Sequence, residues 1–461
     1  MDVPRARGLV AVVLVAAAVF LGAFGLTRLG HNHSGFGASD VPQRPQAAPA
    51  LGAVTAPPTA AGSVDAGAPS RPTAVRHQLA SAVGEPGLGG RLLARIVDAR
   101  TGAVLYDSSG DTPAAPASTG KLLTAAAILA VHKPSDRFTT KIVDGANGTL
   151  VIVGGGDPTL SAAAAGRSSL YPDAARMSDL VAQVKQSGFA VRRILVDGTL
   201  FAGPSISPSW DPTDMGTSYG APITAFMADG GRPSPKAQAR SGVQPDIDAA
   251  HELAAMLDAP DVPVGHGRAP AGAKLLASVR SAPLSELITQ MLQESDNTIA
   301  DVLARQVAVA EKVTASFAGA TAAIRTVLAR FGVQVGAGMK DGSGLASGDR
   351  VSPAALVGVL RLVTGATGPP AAAQLHFIAG ALPVGGWSGT LLDRYTSGGL
   401  AGDVRAKTGT LSTVSSLAGF VHDRSGRLLV FALDADRAVG TFAAEAALDD
   451  VVRALAQCGC R

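Results

Sequence analysis

Three short motifs, set far apart in the chain, constrain its fold more than any other feature: Ser118-Thr119-Gly120-Lys121, Ser295-Asp296-Asn297 and Lys407-Thr408-Gly409. In that order they are the parts of a serine acyl-transferase whose general base is a lysine instead of a histidine. A Ser-x-x-Lys match alone is weak, since about one is expected by chance in a chain of this length. Here the chain holds only nine lysines and three asparagines, and the motifs use Lys121, Lys407 and Asn297. The fold must then bring Lys121 and Ser295 together across 173 intervening residues.

The chemistry explains the residue types. A serine hydroxyl is a poor nucleophile at neutral pH and needs a neighbouring base. Pro113 and Pro116 lead into Ser118, and the apolar run from Leu122 to Leu129 continues as a buried helix. Residues three apart on a helix face the same way, so Lys121 can reach Ser118. Lys121 serves as base if it is neutral, which burial and a second nearby cation favour; Lys407 is the expected cation. At a helix start, the N–H of Ser118 can face a developing oxyanion, with the backbone N–H of Thr410 as the second donor. Ser295 would relay a proton to the leaving amine and Asn297 would hold the substrate amide. Lys407 and Thr408 would bind a terminal carboxylate, and Gly409 would keep the strand edge open for substrate. Taken singly, a cap serine or a Lys-Thr-Gly turn is an ordinary feature. Their joint order favours the catalytic reading.

Other functions are disfavoured by what surrounds the motifs. With 39 basic against 36 acidic residues, no long run of one sign and 4% aromatics, the chain lacks the marks of a nucleic-acid binder. His31 and His33 open a Pro/Ala-rich tract, the other histidines are scattered, and no zinc pattern can be built, so neither metal nor cofactor is expected. Cys458 and Cys460, one residue apart, read as an incidental feature of the tail or as a redox-sensitive or intermolecular pair.

Arg5 and Arg7 precede nineteen uninterrupted apolar residues, Gly8 to Leu26. As a helix they would span about 28 Å, near the thickness of a bilayer core. The positive flank puts the amino end in the cytoplasm and exports the remainder of the chain. The stretch exceeds a usual signal core and Ala23-Phe24-Gly25 is a poor small-x-small site, so the expectation is an uncleaved single-pass anchor rather than a cleaved signal over residues 1–29. Residues 30–75 are rich in Ala, Pro, Gly and Ser and read as a disordered linker.

Beyond the linker, a chain this long exceeds one ordinary core. A short helix near His77 to Val83 precedes a hairpin, Leu92 to Val97 and Ala103 to Tyr106, around Asp98 to Gly102. Residues 76–138 form the first part of a catalytic domain and residues 273–461 the second, with an insertion at 139–272 of one α+β domain or two small ones. Expected strands in the insertion are Phe138 to Val143, Thr149 to Val153 and Arg193 to Val196, with helices Asp173 to Gln186 and Asp246 to Leu257. After it, helices at Leu284 to Gln293, Thr298 to Val313 and Ala320 to Phe331 precede strands at Val404 to Lys407, Ser416 to Val421 and Leu428 to Leu433, and a last helix from Phe442 to Leu455. The fold class is therefore multi-domain α/β, an antiparallel sheet flanked by helices in which the first hairpin joins the last three strands.

With these motifs the chain resembles the penicillin-recognising serine enzymes, and among them the D-Ala-D-Ala carboxypeptidase/endopeptidase family of penicillin-binding protein 4 type. Besides the trio, the likeness rests on Gly154 to Leu160, Asp341-Gly342-Ser343-Gly344-Leu345, Leu382 to Gly386 with Gly389-Thr390-Leu391, and Arg405 to Leu411. It runs from about His77 to the C-terminus, and the long insertion is typical. The resemblance implies a β-lactamase/transpeptidase-like sheet and cleavage of D-alanyl bonds in peptidoglycan stem peptides through an acyl-enzyme on Ser118. It also implies covalent inhibition by β-lactams; the expected anchor, in which this chain departs from relatives exported by a cleaved signal, would place the reaction at the outer face of the cytoplasmic membrane. Asp341 and Ser343 fall near the site by resemblance, with no role assigned. A β-lactamase or esterase on the same fold is disfavoured, because no Glu-x-x-x-Asn follows Ser295-Asp296-Asn297. A catalytically idle wall-binding protein is disfavoured by the intact trio.

Overall fold

The structure is a computed structural model and describes residues 70–460 other than Pro235, Ala366, Thr367 and Val439. The expected anchor, residues 1–29, and most of the linker, 30–75, lie outside the described residues. Among the described residues no helix is long and apolar enough to cross a membrane.

Order begins inside the expected linker. Helix α1 (Pro72–Leu79) starts with proline at its first turn and precedes the position expected from sequence. Strands β1 (Leu93–Asp98) and β2 (Val104–Ser108) form the expected hairpin. Its turn is tied by Asp98, whose carboxylate accepts from the Thr101 N–H at 2.8 Å and hydroxyl at 2.9 Å. Helix α2 (Lys121–Val131) follows; every residue from Lys121 to Leu129 is buried, so it runs through the centre of the domain.

The chain then builds a second sheet from β3 (Thr139–Asp144), β4 (Thr149–Val153), β5 (Arg193–Asp197), β6 (Val264–His266) and β7 (Leu275–Arg280), with helices α3 (Met177–Gln186) and α4 (Pro245–Met256). The strand order is β6-β5-β4-β3-β7, with β4, β5 and β6 parallel and the β3 pairings antiparallel. Ile142, Leu150, Ile152, Leu180, Ile194 and Leu253 share its apolar core. One sheet spans the segment, and its strand β7 lies past Gly272, where the sequence pattern shows no strand.

Helices α5 (Leu284–Gln293), α6 (Asn297–Ala310), α7 (Phe317–Ala329), α8 (Pro353–Val363) and α9 (Phe377–Ala381) come next. Side-chain caps start three of them: Asp296 accepts from the Ile299 N–H, Ser316 from Gly319 and Ser352 from Ala355. Strands β8 (Arg405–Leu411), β9 (Val414–His422) and β10 (Leu428–Ala435) lead to α10 (Thr441–Ala456). The first sheet has the order β2-β1-β10-β9-β8, all antiparallel, so the early hairpin does pair with the late strands through β1 and β10.

Alternation along β10 separates two cores. Leu429, Phe431 and Leu433 pack toward α10, whereas Val430 and Ala432 pack with α2, α6, α7 and α8. Cys458 and Cys460 are joined as a disulfide and buried in the α10-side core, where the Cys460 carbonyl accepts from the Arg71 N–H at 2.7 Å. They are thus a built part of the fold, and neither an incidental tail feature nor an intermolecular pair.

Candidate active site

Ser118 lies in a turn of 3-10 helix, Ala117–Gly120, immediately ahead of α2. The turn is entered through Ala117 at φ 46°, a left-handed conformation that side-chain-bearing residues seldom adopt. Two hydroxyls hold it by donating to the Pro116 carbonyl, Ser416 at 2.7 Å and Thr119 at 2.6 Å. Gly344, at φ +78°, fits against the same turn; a Cβ there would lie 1.8 Å from the Ala117 carbonyl oxygen.

Lys121 is the first residue of α2 and is wholly buried. Its Nζ lies 2.8 Å from Ser118 Oγ, 2.8 Å from the Ser343 carbonyl oxygen and in a short hydrogen bond with Asn297 Oδ1. The Ser-x-x-Lys pair, the Ser-Asp-Asn motif and the Asp-Gly-Ser-Gly-Leu stretch therefore meet at one nitrogen. Burial lowers the Lys121 amine to about 8, against the opposing charges of Asp341, Asp301 and Asp296 and with help from Arg240.

The Ser-Asp-Asn motif joins α5 to α6. Asp296 caps α6, forms a buried ion pair with Arg240 at 2.8 Å and accepts from the Tyr171 hydroxyl at 2.8 Å. Burial alone would raise this carboxyl, but Arg240 outweighs it and holds Asp296 at about 2. Asn297 is engaged at both ends, with its Nδ2 donating to the Tyr219 carbonyl at 3.0 Å. These bonds tie it to Lys121 and to a loop of the inserted segment. Ser295 stands one residue before the cap at φ 57°, and its hydroxyl makes no hydrogen bond to Ser118 or Lys121 among the described residues.

On β8, Lys407 is wholly buried, with its Nζ donating to the Thr408 carbonyl at 2.9 Å. Burial, with Lys121 as a further cause, pushes its amine well below the ordinary range. The Thr408 hydroxyl donates to Thr390 Oγ1 at 2.8 Å, and the Thr410 hydroxyl to Glu445 at 2.9 Å. The Ala406 N–H donates to Pro383 on the outer edge of β8, so by alternation the N–H groups of Thr408 and Thr410 face that same edge, beyond Pro383. Packing also requires a glycine at position 409. A Cβ there would stand 2.3 Å from Ser416 Oγ and 2.9 Å from both Pro116 O and Ser118 N, so its absence lets β8 press against the Ser118 turn.

Behind Lys121 lies a buried carboxylate group. Asp341 accepts from the N–H groups of Ser343, Gly344 and Ala346 and from the Trp210 indole at 2.6 Å, which shapes the loop that offers the Ser343 carbonyl. The stretch from Asp341 to Leu345, placed near the site by resemblance, is thus a wall of it. Burial, then the charge of Asp341, raises Asp301 to about 8 and Asp349 to about 9. Sequence reasoning missed Tyr171, Trp210, Tyr219, Arg240 and Asp301. Asp301 had a signal, lying four residues after Asn297 on one helix face; the others sit in loops of the inserted segment with no periodic pattern. Among the described residues no cluster of metal-ligating side chains is found.

Known proteins are similar to this one over nearly the whole chain. The model of the D-Ala-D-Ala carboxypeptidase 3 (S13) family matches residues 75–257 and 233–458. A carboxypeptidase of Mycobacterium tuberculosis is 40% identical, with 98% of this chain and 96% of that one covered. The carboxypeptidase DacB of Mycolicibacterium smegmatis is 39% identical, covering 98% and 95%. Penicillin binding protein 4 of Haemophilus influenzae has the same fold at TM-score 0.67, with 23% identity over 83% of this chain and 97% of that one. The chain belongs to the D-Ala-D-Ala carboxypeptidase 3 (S13) family.

Proposed function

We propose that this peptidase hydrolyses D-alanyl bonds of peptidoglycan stem peptides through an ester on Ser118, with Lys121 as the base, and that β-lactams acylate the same hydroxyl. The observation that carries the reading is the set of three partners around Lys121 Nζ. Two of them, Asn297 Oδ1 and the Ser343 carbonyl, can only accept. A neutral amine has two N–H bonds and one lone pair. Both N–H bonds are thus taken up, and the lone pair is left for the Ser118 hydroxyl.

The steps follow from that geometry. Lys121 takes the Ser118 proton as Oγ attacks the scissile carbonyl carbon, and the oxyanion receives the N–H groups of Ser118 and Thr410. Lys407, Thr408 and the open edge of β8 hold the terminal carboxylate. As the C–N bond breaks, the proton passes from Lys121 to the leaving amine, with the unpaired Ser295 hydroxyl as the relay. Water, activated by the same amine, then releases the acyl group from Ser118. For place of action we propose the outer face of the cytoplasmic membrane, on an anchor formed by residues 1–29 with the linker as tether; the run of nineteen apolar residues behind a basic flank supports it.

The test is D-alanine release from a peptide ending in D-Ala-D-Ala. Release by the wild type and its loss by at least about a thousandfold in Ser118→Ala, with an unchanged circular dichroism spectrum, are expected. Equal release by both proteins would refute the assignment.

A further inference from the structure

Asp301 is buried behind Lys121 and has no part in the bonds made and broken during acyl transfer. It lies four residues after Asn297 on α6, one turn further along the same face. Asn297 bonds Lys121 directly, whereas Asp301 bonds the loop that bonds Lys121. Its Oδ1 accepts the Gly342 N–H at 2.7 Å, and its Oδ2, also buried, accepts no N–H among the described residues.

The segment that Asp301 holds is fixed on every side. The Thr124 hydroxyl, one turn beyond Lys121 on α2, donates to the Gly342 carbonyl at 2.6 Å. Gly342 is pressed on α6, where a Cβ would meet the Ala304 Cβ at 2.4 Å and the Ala300 carbonyl oxygen at 3.0 Å. Asp341 gathers the N–H groups of Ser343, Gly344 and Ala346 from the other end of the loop. With its N–H on Asp301 and its carbonyl on Thr124, Gly342 cannot turn, and the next carbonyl, that of Ser343, points at Lys121 Nζ.

Charge is a second link between the two residues. Burial, then the charge of Asp341, raises Asp301 to about 8, against the Gly342 N–H, the Ser343 hydroxyl and Lys121. Burial brings Lys121 down to about 8, with Asp301 among the charges that oppose the loss of its proton. The two groups therefore titrate over one range, as a pair. Other charges face them from each side: Asp341 and Asp349 from the loop, Asp296 and Arg305 from α6, Arg240 from the inserted segment and Lys407 from β8. An ionised carboxyl at 301 holds Lys121 as the ammonium, and a neutral one favours the amine that takes the Ser118 proton.

We infer that Asp301 is a positioning residue for acylation, which aims the Ser343 carbonyl at Lys121 through Gly342 and couples its own charge to that of the base. The inference rests on the acyl-enzyme reading of the site. It gives Asp301 two separable effects. The hydrogen bond sets the rate reached when Lys121 is fully neutral, and the charge sets the pH at which that rate is reached.

The test is the second-order rate of acylation by benzylpenicillin from pH 6 to 10 for wild type, Asp301→Asn, Asp301→Ala and Thr124→Val, with folding checked by circular dichroism. Asparagine keeps an oxygen for the Gly342 N–H and removes the charge. Its plateau should stay within about threefold of wild type while its midpoint falls by at least about half a pH unit, because no carboxylate then holds the ammonium. Asp301→Ala should show the lowered midpoint together with a plateau at least about tenfold down, the cost of a base that is less well aimed. Thr124→Val unties the Gly342 carbonyl without changing any charge, so its plateau should fall by about tenfold at the wild-type midpoint.

A wild-type midpoint in Asp301→Asn, or a wild-type plateau in Asp301→Ala, overturns the inference. Variants that acylate as the wild type does and lose only thermal stability overturn it too, since Asp301 is then no more than a packing residue. If neither Asp301 variant folds, Thr124→Val decides: a wild-type rate at every pH overturns the inference, and a lowered plateau at an unmoved midpoint upholds it. Acylation that depends on Ser118 but shows none of these shifts refutes the role of Asp301 alone, whereas a wild type that is not acylated, or is acylated no faster than Ser118→Ala, refutes the acyl-enzyme reading itself.

Discussion

The proposed role of Lys121 as base rests on how few hydrogen atoms a neutral amine can offer. An ammonium has three N–H bonds and would leave no lone pair for Ser118, whereas the amine has two, which Asn297 and Ser343 accept. With the amine held to about 8, about a tenth of the protein carries the neutral form at pH 7. Acylation should therefore rise with pH through about 8 and level off above it, and a second-order acylation rate that is flat from pH 6 to 9 would contradict this. The residues of this constellation were legible in the sequence as types and order: Ser118, Lys121, Asn297 and Lys407. Their partners were not. Sequence suggested Lys407 as the cation that tunes Lys121, and the two charges do oppose one another; Arg240 acts in the same sense, set against three aspartates, and was not foreseen. Such balances depend on which loops fold over the site, and no local pattern encodes that.

At the scale of elements, the site is where a strand edge, a helix start and two loops meet. Strand β8 approaches the Ser118 turn so closely that Gly409 has no room for a methyl group. Gly409→Ala should move the turn by a few tenths of an ångström and slow acylation by about a hundredfold, the cost of a small misplacement of the reacting atoms. The loss of folding stability should be only about 1–3 kcal/mol; stopped-flow acylation and urea unfolding measure the two. Helices α5 and α6 and strand β4 were legible because caps, alternation and length agree there. Strand β7 was not, since it is half exposed with burial that alternates weakly; α8 lay outside the expected pattern although Ser352 as cap and Pro353 in the first turn mark its start. The inserted segment reaches back to the site through Tyr171, Trp210, Tyr219 and Arg240. These contacts make it part of the catalytic wall as well as a sheet with its own core.

Across the whole molecule, catalytic geometry is held at a cost in stability that depends on pH. Burial and then Asp341 raise Asp349 from 3.8 to about 9, so the folded protein binds this proton more tightly than the unfolded chain. Stability from this group is present below the unfolded value and is lost as pH rises toward about 9, by up to about 1.4 kcal/mol per pH unit. Asp349→Asn should narrow the fall in Tm between pH 6 and pH 8.5, whereas a fall as steep as in the wild type would show that Asp349 is not the source. The topology also explains why the first hairpin matters so far from the motifs: β1 pairs with β10 and joins the two halves of the chain around the inserted sheet. The Arg71 N–H on the Cys460 carbonyl ties the start of the described residues to their end. Strand edge, helix start and loops all converge on one oxygen atom, Ser118 Oγ. The measurement that tests its role most directly is the intact mass of the wild type and of Ser118→Ala after incubation with benzylpenicillin. A single stable adduct on the wild type and none on a folded Ser118→Ala protein is the predicted result. No adduct on the wild type, or the same adduct on both, would contradict Ser118 as the nucleophile.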